Sequence, residues 1–184
     1  AKEMQVLDRE ELQKFLIQAQ ADGYYELFLL DLCTGLRRGE LIALQWEDLN
    51  FETGVLTVNK QAYTVNGELQ IIPPKTKASM RKLVLPPAVL AVLREYHKKV
   101  DSRWMFPSPV KADRPITPGV ARRRLQTILE RADCKRVRFH DLRHTFATLA
   151  LENGMDVKTL SAMLGHVSAM TTLDIYTHIT NDMQ

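Results

Sequence analysis

The segment RFHDLRHTFATLALENG, residues 138–154, decides how this chain folds. Phe146, Leu149 and Ala150 recur at three- and four-residue spacing, which predicts an α-helix with one apolar face. Gly154 follows that pattern and is typical of a helix that ends in a left-handed residue. The segment therefore predicts a helix that packs its apolar stripe into a core and ends near residue 153.

The polar residues of this helix allow three interpretations. His140, Arg143 and His144 share one turn, because residues three and four apart are helical neighbours. This arrangement suits a site at the rim of a core, but taken alone it slightly favours a solvated basic face. His140 and His144 also have the spacing of zinc ligands. Arg143 would set a permanent positive charge beside the ion, and Asp141 stands where a general-base glutamate is required, so we predict no metal site.

The rest of the chain predicts a mainly helical α+β domain around one small sheet. Residues 55–65 are β-branched and partly alternating, Asn66-Gly67 is a strong hairpin signal, and two further strand-like runs follow. We expect a small three-stranded antiparallel sheet. Helices are predicted at residues 8–21, 24–33, 37–44, 87–99 and 117–131, followed by three short helices from residue 140 onward.

Composition sets wide limits on function. The chain has 184 residues, 45% of them hydrophobic, and a formal net charge of +3, which permits nucleic-acid binding without requiring it. No apolar run is long enough to span a bilayer, and the first residues are too charged for a signal peptide. Cys33 and Cys134 have neither metal-ligand spacing nor the density of a disulfide scaffold. These features predict a cytoplasmic protein with no membrane partner.

Two other clusters contain candidate site residues. In TGLRRGEL, residues 34–41, Arg37 lies at a helix N-terminus, where a cation is unfavourable unless an anion binds there. A surface arginine paired with Glu40 is an equally good explanation. Near the end of the chain, His166 closes the motif LGH and Tyr176 follows ten residues later. Each of these two residues alone has an ordinary structural explanation.

The combination is more specific than its parts. TGLRRGEL, HDLRHT, LGH and a tyrosine ten residues further on, in that order, closely resemble the motif series of the tyrosine recombinases. That family includes integrases of phages and conjugative transposons. The resemblance covers essentially the whole chain, from VLDREELQKFL to DIYTHIT. It implies the catalytic-domain fold of that family over residues 1–184.

The resemblance also implies a reaction. Tyr176 would attack a DNA phosphodiester to give a 3′-phosphotyrosine and a free 5′-hydroxyl, and a second 5′-hydroxyl would reverse the step. Arg37 and Arg143 would hold the non-bridging oxygens of the phosphate, a task suited to planar guanidinium groups. No metal or nucleotide cofactor is implied, because the covalent link conserves the bond energy. The chain would then be a site-specific recombinase that integrates and excises a mobile element.

The same resemblance assigns the supporting residues. His140 would take the proton of the tyrosine or bind the phosphate, His166 would donate another hydrogen bond, and Glu40 would support the site from behind. The general acid would be Lys75, which stands in a Pro-Lys-Thr sequence before a basic stretch, with Lys77 as the alternative. His144 matches no catalytic position of the family. We expect it to have a structural or DNA-proximal role.

The implied partner is double-stranded DNA, bound as a homotetramer, with the isolated fragment a monomer and an accessory directionality factor as a further partner. Such a protein would act in the bacterial cytoplasm at the nucleoid. Full-length members carry an N-terminal core-binding domain and some an arm-binding domain, and we expect both to be absent from this chain. Phosphate contacts are expected from six basic residues: Lys77, Arg81, Lys82, Arg122, Arg123 and Arg124.

Three other functions compete with this interpretation. One is a DNA-binding module without catalysis, in which the arginines contact only backbone phosphates. Another is a zinc hydrolase built on His140 and His144. A third is a type IB topoisomerase, which shares the chemistry and differs in its use of partners. The complete set of motif residues favours catalysis, and the LGH motif with the small size favours a recombinase.

Overall fold

A computed structural model of the chain describes residues 5–73, 76, 80–152 and 154. The helices in these ranges are α1 (Arg9–Asp22), α2 (Tyr25–Thr34), α3 (Arg38–Ile42), α4 (Pro87–His97), α5 (Pro118–Arg131) and α6 (Phe139–Glu152). The strands are β1 (Val55–Val58), β2 (Gln61–Val65), β3 (Glu68–Ile72) and β4 (Arg81–Val84). This mainly helical α+β architecture confirms the predicted fold class.

Local signals in the sequence explain where the elements begin and turn. The Asp8 carboxylate accepts the backbone N–H of Glu11 (2.8 Å), and the Glu11 carboxylate accepts the N–H of Asp8 (3.3 Å), so a capping box starts α1. Asn66 and Gly67 both have positive φ (52° and 79°), as a tight hairpin turn between β2 and β3 requires. Gly154 has φ of 90°, as the predicted left-handed end of the last described helix requires.

The strands pair differently from the prediction. Among the described residues they form two two-stranded antiparallel sheets, β1 with β4 and β2 with β3, instead of one three-stranded sheet. The break between the sheets lies after β1, where the Lys60 ammonium is held by the Asp48 carboxylate (2.5 Å). Alternating hydrophobicity identifies strands but does not identify their partners, which is why the sequence did not predict this division.

The core lies where three helices meet beneath the candidate site. The ring of Phe28 on α2 packs against Phe15 of α1 (5.2 Å between centroids) and against Phe139 of α6 (5.8 Å). All three rings are buried. This packing fixes α6 and α2 relative to each other. None of the helices that the structure describes is long and apolar enough to cross a membrane.

Candidate functional site

An open cavity of about 1190 Å³ lies between α3, β2, α5 and the start of α6. Its walls bring together segments from the first quarter and from the last third of the chain. Arginine is the most frequent residue in these walls, so the cavity is suited to an anionic ligand. The arginines that line it are Arg37, Arg38, Arg122, Arg123, Arg136, Arg138 and Arg143.

A buried carboxylate organises the α3 wall. Glu40 has a fully buried side chain, and it accepts the backbone N–H of Arg37 (2.9 Å) and two hydrogen bonds from the Arg81 guanidinium (2.7 and 3.0 Å). One guanidinium nitrogen of Arg37 lies 3.8 Å from Glu40 Oε2. Burial raises the pKa of Glu40, but the bonds and charge of Arg81, followed by those of Arg37, bring this pKa below its ordinary value. Glu40 is therefore ionised and positions the start of α3.

A glycine lets α3 approach the neighbouring strand. A Cβ atom on Gly39 would lie 2.8 Å from the backbone oxygen of Ala62 in β2, closer than real Cβ atoms come. Only hydrogen fits at this contact, so Gly39 sets the distance between α3 and β2. The neighbours of Ala62 in the strand, Gln61 and Tyr63, consequently line the cavity.

The start of α6 forms the opposite wall. The Asp141 carboxylate accepts the backbone N–H of Arg138 (2.8 Å) and two bonds from its guanidinium (3.2 and 3.1 Å), which fixes where the helix begins. Asp141 is buried and fully engaged, so it is not placed to act as the general base of a zinc hydrolase. His140 and Arg143 line the cavity from this helix, His140 exposed and Arg143 buried.

The two histidines of α6 both have lowered pKa values, which favours their neutral forms. Partial burial and then the charge of Arg143 lower the pKa of His140. Burial first, and then the neighbouring His140, lower the pKa of His144 to about 4. The buried His144 ring meets the His140 ring edge-on, with centroids 4.8 Å apart. Among the described residues no cluster of three or more histidine, cysteine or acidic side chains is arranged to hold a metal ion.

The six predicted DNA contacts lie in different environments. Arg122 and Arg123 are exposed and line the cavity, and Lys82 is exposed on β4. The Arg124 guanidinium lies over the ring of Tyr24 (5.4 Å) and is not among the residues that line the cavity.

The DNA contact predicted for Arg81 stays a prediction, and the structure gives this side chain a partner within the protein. Only 7% of this side chain is exposed, because the Glu40 carboxylate holds its guanidinium. Arg81 therefore holds the Glu40 carboxylate in the interior, and this carboxylate also lies beside the Arg37 guanidinium.

Four predicted site residues lie outside the described part of the chain: Lys75, Lys77, His166 and Tyr176. The nucleophile, the general acid and the second histidine of the proposed mechanism therefore stay predictions.

Sequence reasoning missed an acidic residue near the site. Asp31 of α2 is completely buried, and neither carboxylate oxygen accepts a hydrogen bond within the described residues. Burial raises the pKa of Asp31 well above its ordinary value, with the charge of Arg143 acting in the opposite direction and Glu40 raising it further. The signal was an acid inside the almost wholly apolar run YYELFLLDLC. Arg136 was also missed as a cavity residue, because a single basic residue near a loop gives no distinctive pattern.

Comparisons with known proteins identify the family of the chain. A sequence model of the phage integrase family matches residues 5–183. The chain is 32% identical to a XerC-like tyrosine recombinase of Caldanaerobacter subterraneus subsp. tengcongensis, over 96% of this chain and 51% of that protein. It is 27% identical to the ICEBs1 integrase of Bacillus subtilis, over 100% of this chain and 53% of that protein. The chain thus spans about half the length of these relatives.

Solved structures show the same fold. The Tn1549 transposon integrase, in complex with transposon right end DNA, matches with a TM-score of 0.84 and 25% identity, over 96% of this chain and 62% of that one. The XerA recombinase matches with a TM-score of 0.77 and 26% identity, over 97% of this chain and 60% of that one. The chain belongs to the phage integrase family and has the catalytic-domain fold of a tyrosine recombinase.

Proposed function

We propose that this chain is the catalytic domain of a site-specific DNA recombinase that integrates and excises a mobile element. One observation carries the proposal: Arg37, Arg143 and His140 line a single cavity although α3 and α6 lie far apart in the sequence. Two similar proteins support it, since one is named as the ICEBs1 integrase and the other is a transposon integrase solved with transposon end DNA.

In the proposed reaction the Tyr176 hydroxyl oxygen attacks the scissile phosphorus. The bond from phosphorus to the 5′-oxygen breaks, and that oxygen takes a proton from Lys75, which leaves a 3′-phosphotyrosine and a free 5′-hydroxyl. A 5′-hydroxyl from a partner strand then attacks the phosphotyrosine and releases Tyr176. The number of phosphodiester bonds is conserved, so the reaction needs no nucleotide cofactor. Lys77 is the alternative acid.

The cavity supplies the charge that this reaction requires. Arg37 and Arg143 are permanently cationic and would neutralise the non-bridging oxygens as negative charge builds up in the transition state. They take the role that a metal ion has in other phosphoryl-transfer enzymes. His140 lines the same cavity, and its lowered pKa favours the neutral form, which can accept the tyrosine proton or bind the phosphate. By motif position His166 donates a further hydrogen bond.

Double-stranded DNA is the proposed partner. A basic cavity that is open to solvent is suited to a polyanion. Contacts to backbone phosphates do not depend on the base sequence, and they weaken as the salt concentration rises. We propose a homotetramer on DNA, a monomer for the isolated chain, and an accessory directionality factor, all acting at the bacterial nucleoid in the cytoplasm. The proposed phosphate contacts, from which Arg81 and Arg124 are left out, are Lys77, Lys82, Arg122 and Arg123.

A nicked DNA duplex from the ends of the mobile element tests the proposed function. Cleavage beside the nick releases a short fragment, so the covalent intermediate accumulates and is detected as an SDS-resistant protein–DNA adduct. We expect an adduct with the wild-type chain in the presence of EDTA, and none with Tyr176→Phe, which lacks only the attacking oxygen. An adduct in Tyr176→Phe would assign another nucleophile. DNA binding without any adduct from the wild type would favour a DNA-binding module, and loss of the adduct in EDTA with recovery on zinc would favour a zinc hydrolase.

A further inference from the structure

Three arginines of the cavity, Arg38, Arg122 and Arg123, have no partner for their guanidinium groups among the described residues, and the charges of Arg38 and Arg122 also act on each other. Arg38 of α3 is half-buried and Arg122 of α5 is exposed, and both line the cavity. Neither guanidinium makes a hydrogen bond or an ion pair with any residue that the structure describes. Three neighbouring arginines in the walls do have such partners, namely Arg37 with Glu40, Arg138 with Asp141 and Arg136 with Gln126.

The position of Arg38 is electrostatically unfavourable in the absence of an anion. Burial first, and then the positive charge of Arg122, lower the pKa of Arg38. A cation that is partly withdrawn from water is normally compensated by a negative partner, and here the described charge that acts on it has the same sign. An anion bound between the two guanidinium groups would remove this repulsion and supply the missing hydrogen-bond acceptors.

We propose that Arg38 and Arg122 form a second phosphate subsite, which binds a DNA backbone phosphate next to the one held by Arg37 and Arg143. This inference rests on the proposed function. Arg37 and Arg38 are consecutive, so their Cα atoms lie about 3.8 Å apart. Neighbouring phosphates of one strand lie further apart than their axial rise of ~3.4 Å, because the strand also turns around the duplex axis, but two long arginine side chains can diverge to reach both. Adjacent arginines can therefore each bind one of two neighbouring phosphates, and the second contact would set the register of the strand.

The salt dependence of DNA binding tests the subsite. Binding of the full chain to a fluorescein-labelled duplex from the element ends is measured by anisotropy over a series of KCl concentrations. One lost phosphate contact should reduce the slope of log K against log salt by about 0.9. We expect that change for Arg38→Gln. The double variant Arg38→Gln/Arg122→Gln should show no further reduction, because the proposed subsite binds its phosphate only when both guanidinium groups hold it.

A matched control separates a subsite from simple loss of charge. Arg124→Gln removes the same charge from α5 two residues after Arg122, but its guanidinium lies over Tyr24 and does not line the cavity. Its slope should stay close to that of the wild type. An unchanged slope for Arg38→Gln, or equal changes for Arg38→Gln and Arg124→Gln, would overturn the subsite. Thermal melts of each variant exclude misfolding as the cause.

Neutral phosphates locate the subsite on the DNA. A single methylphosphonate is placed at each position around the scissile phosphate in turn. At the phosphate that the subsite binds, the methylphosphonate should weaken DNA binding by the wild type. It should have little effect on DNA binding by Arg38→Gln, because this variant has already lost the contact. We expect this position beside the scissile phosphate. The proposal would be contradicted if this difference between the wild type and Arg38→Gln appeared at the scissile phosphate itself or at no phosphate. An absent covalent adduct in the wild type would instead refute the proposed recombinase, so the two failures are distinguishable.

Discussion

Two buried carboxylates on consecutive helices behave in opposite ways. Glu40 of α3 and Asp31 of α2 are both buried, and both lie within the electrostatic influence of the site arginines. Glu40 accepts hydrogen bonds from Arg37 and Arg81, and its pKa is lowered. Asp31 accepts none within the described residues, and its pKa is raised well above the ordinary value.

The difference shows that partners, more than depth of burial, decide whether a carboxyl group is charged. Glu40 is a fixed negative charge that holds two arginines in place. Burial favours the protonated form of Asp31, whose oxygens accept no hydrogen bond within the described residues, and such unsatisfied groups cost folding free energy. A buried polar group without a partner requires an explanation, because it destabilises the fold. Proteins retain such groups mainly near functional sites. The proximity of Asp31 to Arg143 places it behind the proposed phosphate site.

The largest effect is expected from removing the paired carboxylate. Glu40→Ala leaves the buried Arg81 guanidinium and the Arg37 N–H without their acceptor, so the free energy of unfolding should fall by about 3–5 kcal/mol, the usual result of breaking a buried ion pair. Urea denaturation measures this change. Glu40→Gln keeps the shape and some of the hydrogen bonds and should lose less. Equal stability of the wild type and Glu40→Ala would show that the carboxylate does not organise α3.

A smaller effect is expected where α3 meets β2. Gly39→Ala places a methyl group 2.8 Å from the backbone oxygen of Ala62, so either the helix or the strand must move. Overpacking of this kind should cost about 1–3 kcal/mol of unfolding free energy and slow DNA cleavage. Gly119→Ala in α5 is the control, because the added methyl group would meet only Arg123 Nη1, at 3.5 Å. A Gly39→Ala variant as stable and active as Gly119→Ala would contradict the close packing.

The smallest effect, and one of opposite sign, is expected at Asp31. Asp31→Asn should raise the unfolding free energy at neutral pH by about 1 kcal/mol or more, because the amide does not ionise in the unfolded chain and so removes the cost of keeping a buried carboxyl group protonated. The raised pKa fixes the pH dependence. Below the ordinary pKa of 3.8 both folded and unfolded wild type are protonated, and the advantage of the variant disappears.

As the pH rises above 3.8 only the unfolded wild type ionises, so the wild type becomes less stable relative to Asp31→Asn. Thermal melts of both proteins from about pH 4 to pH 7 follow the difference. If the stability of Asp31→Asn relative to the wild type instead increased as the pH falls, Asp31 would be ionised and paired in the folded protein.

Much of the fold could be predicted because its signals are local. The capping pair Asp8 and Glu11 and the turn Asn66-Gly67 act within a few residues, and the structure has both where the sequence predicts them. The ordered motifs also indicated which residues should meet, and the described ones, Arg37, Arg143 and His140, line one cavity.

What the sequence did not predict depends on contacts between distant residues. Arg81 stands in a basic stretch that is typical of a solvated surface, yet its partner Glu40 lies 41 residues earlier. Asp31 continues the helical pattern, and nothing local shows that its carboxyl group lacks a partner. The pairing of β4 with β1 likewise depends on how the chain returns after the hairpin, which hydrophobic alternation does not specify.

The central claim is that Arg37 and Arg143 neutralise charge on one scissile phosphate, and a neutral phosphate tests it most directly. Cleavage rates of the wild type and Arg143→Ala are compared on a phosphodiester and on a duplex with one methylphosphonate at the scissile position. On the phosphodiester, Arg143→Ala should be slower by about a hundredfold or more. On the methylphosphonate, which carries less charge to neutralise, the variant should approach the wild-type rate. An equal loss on both substrates would contradict the account.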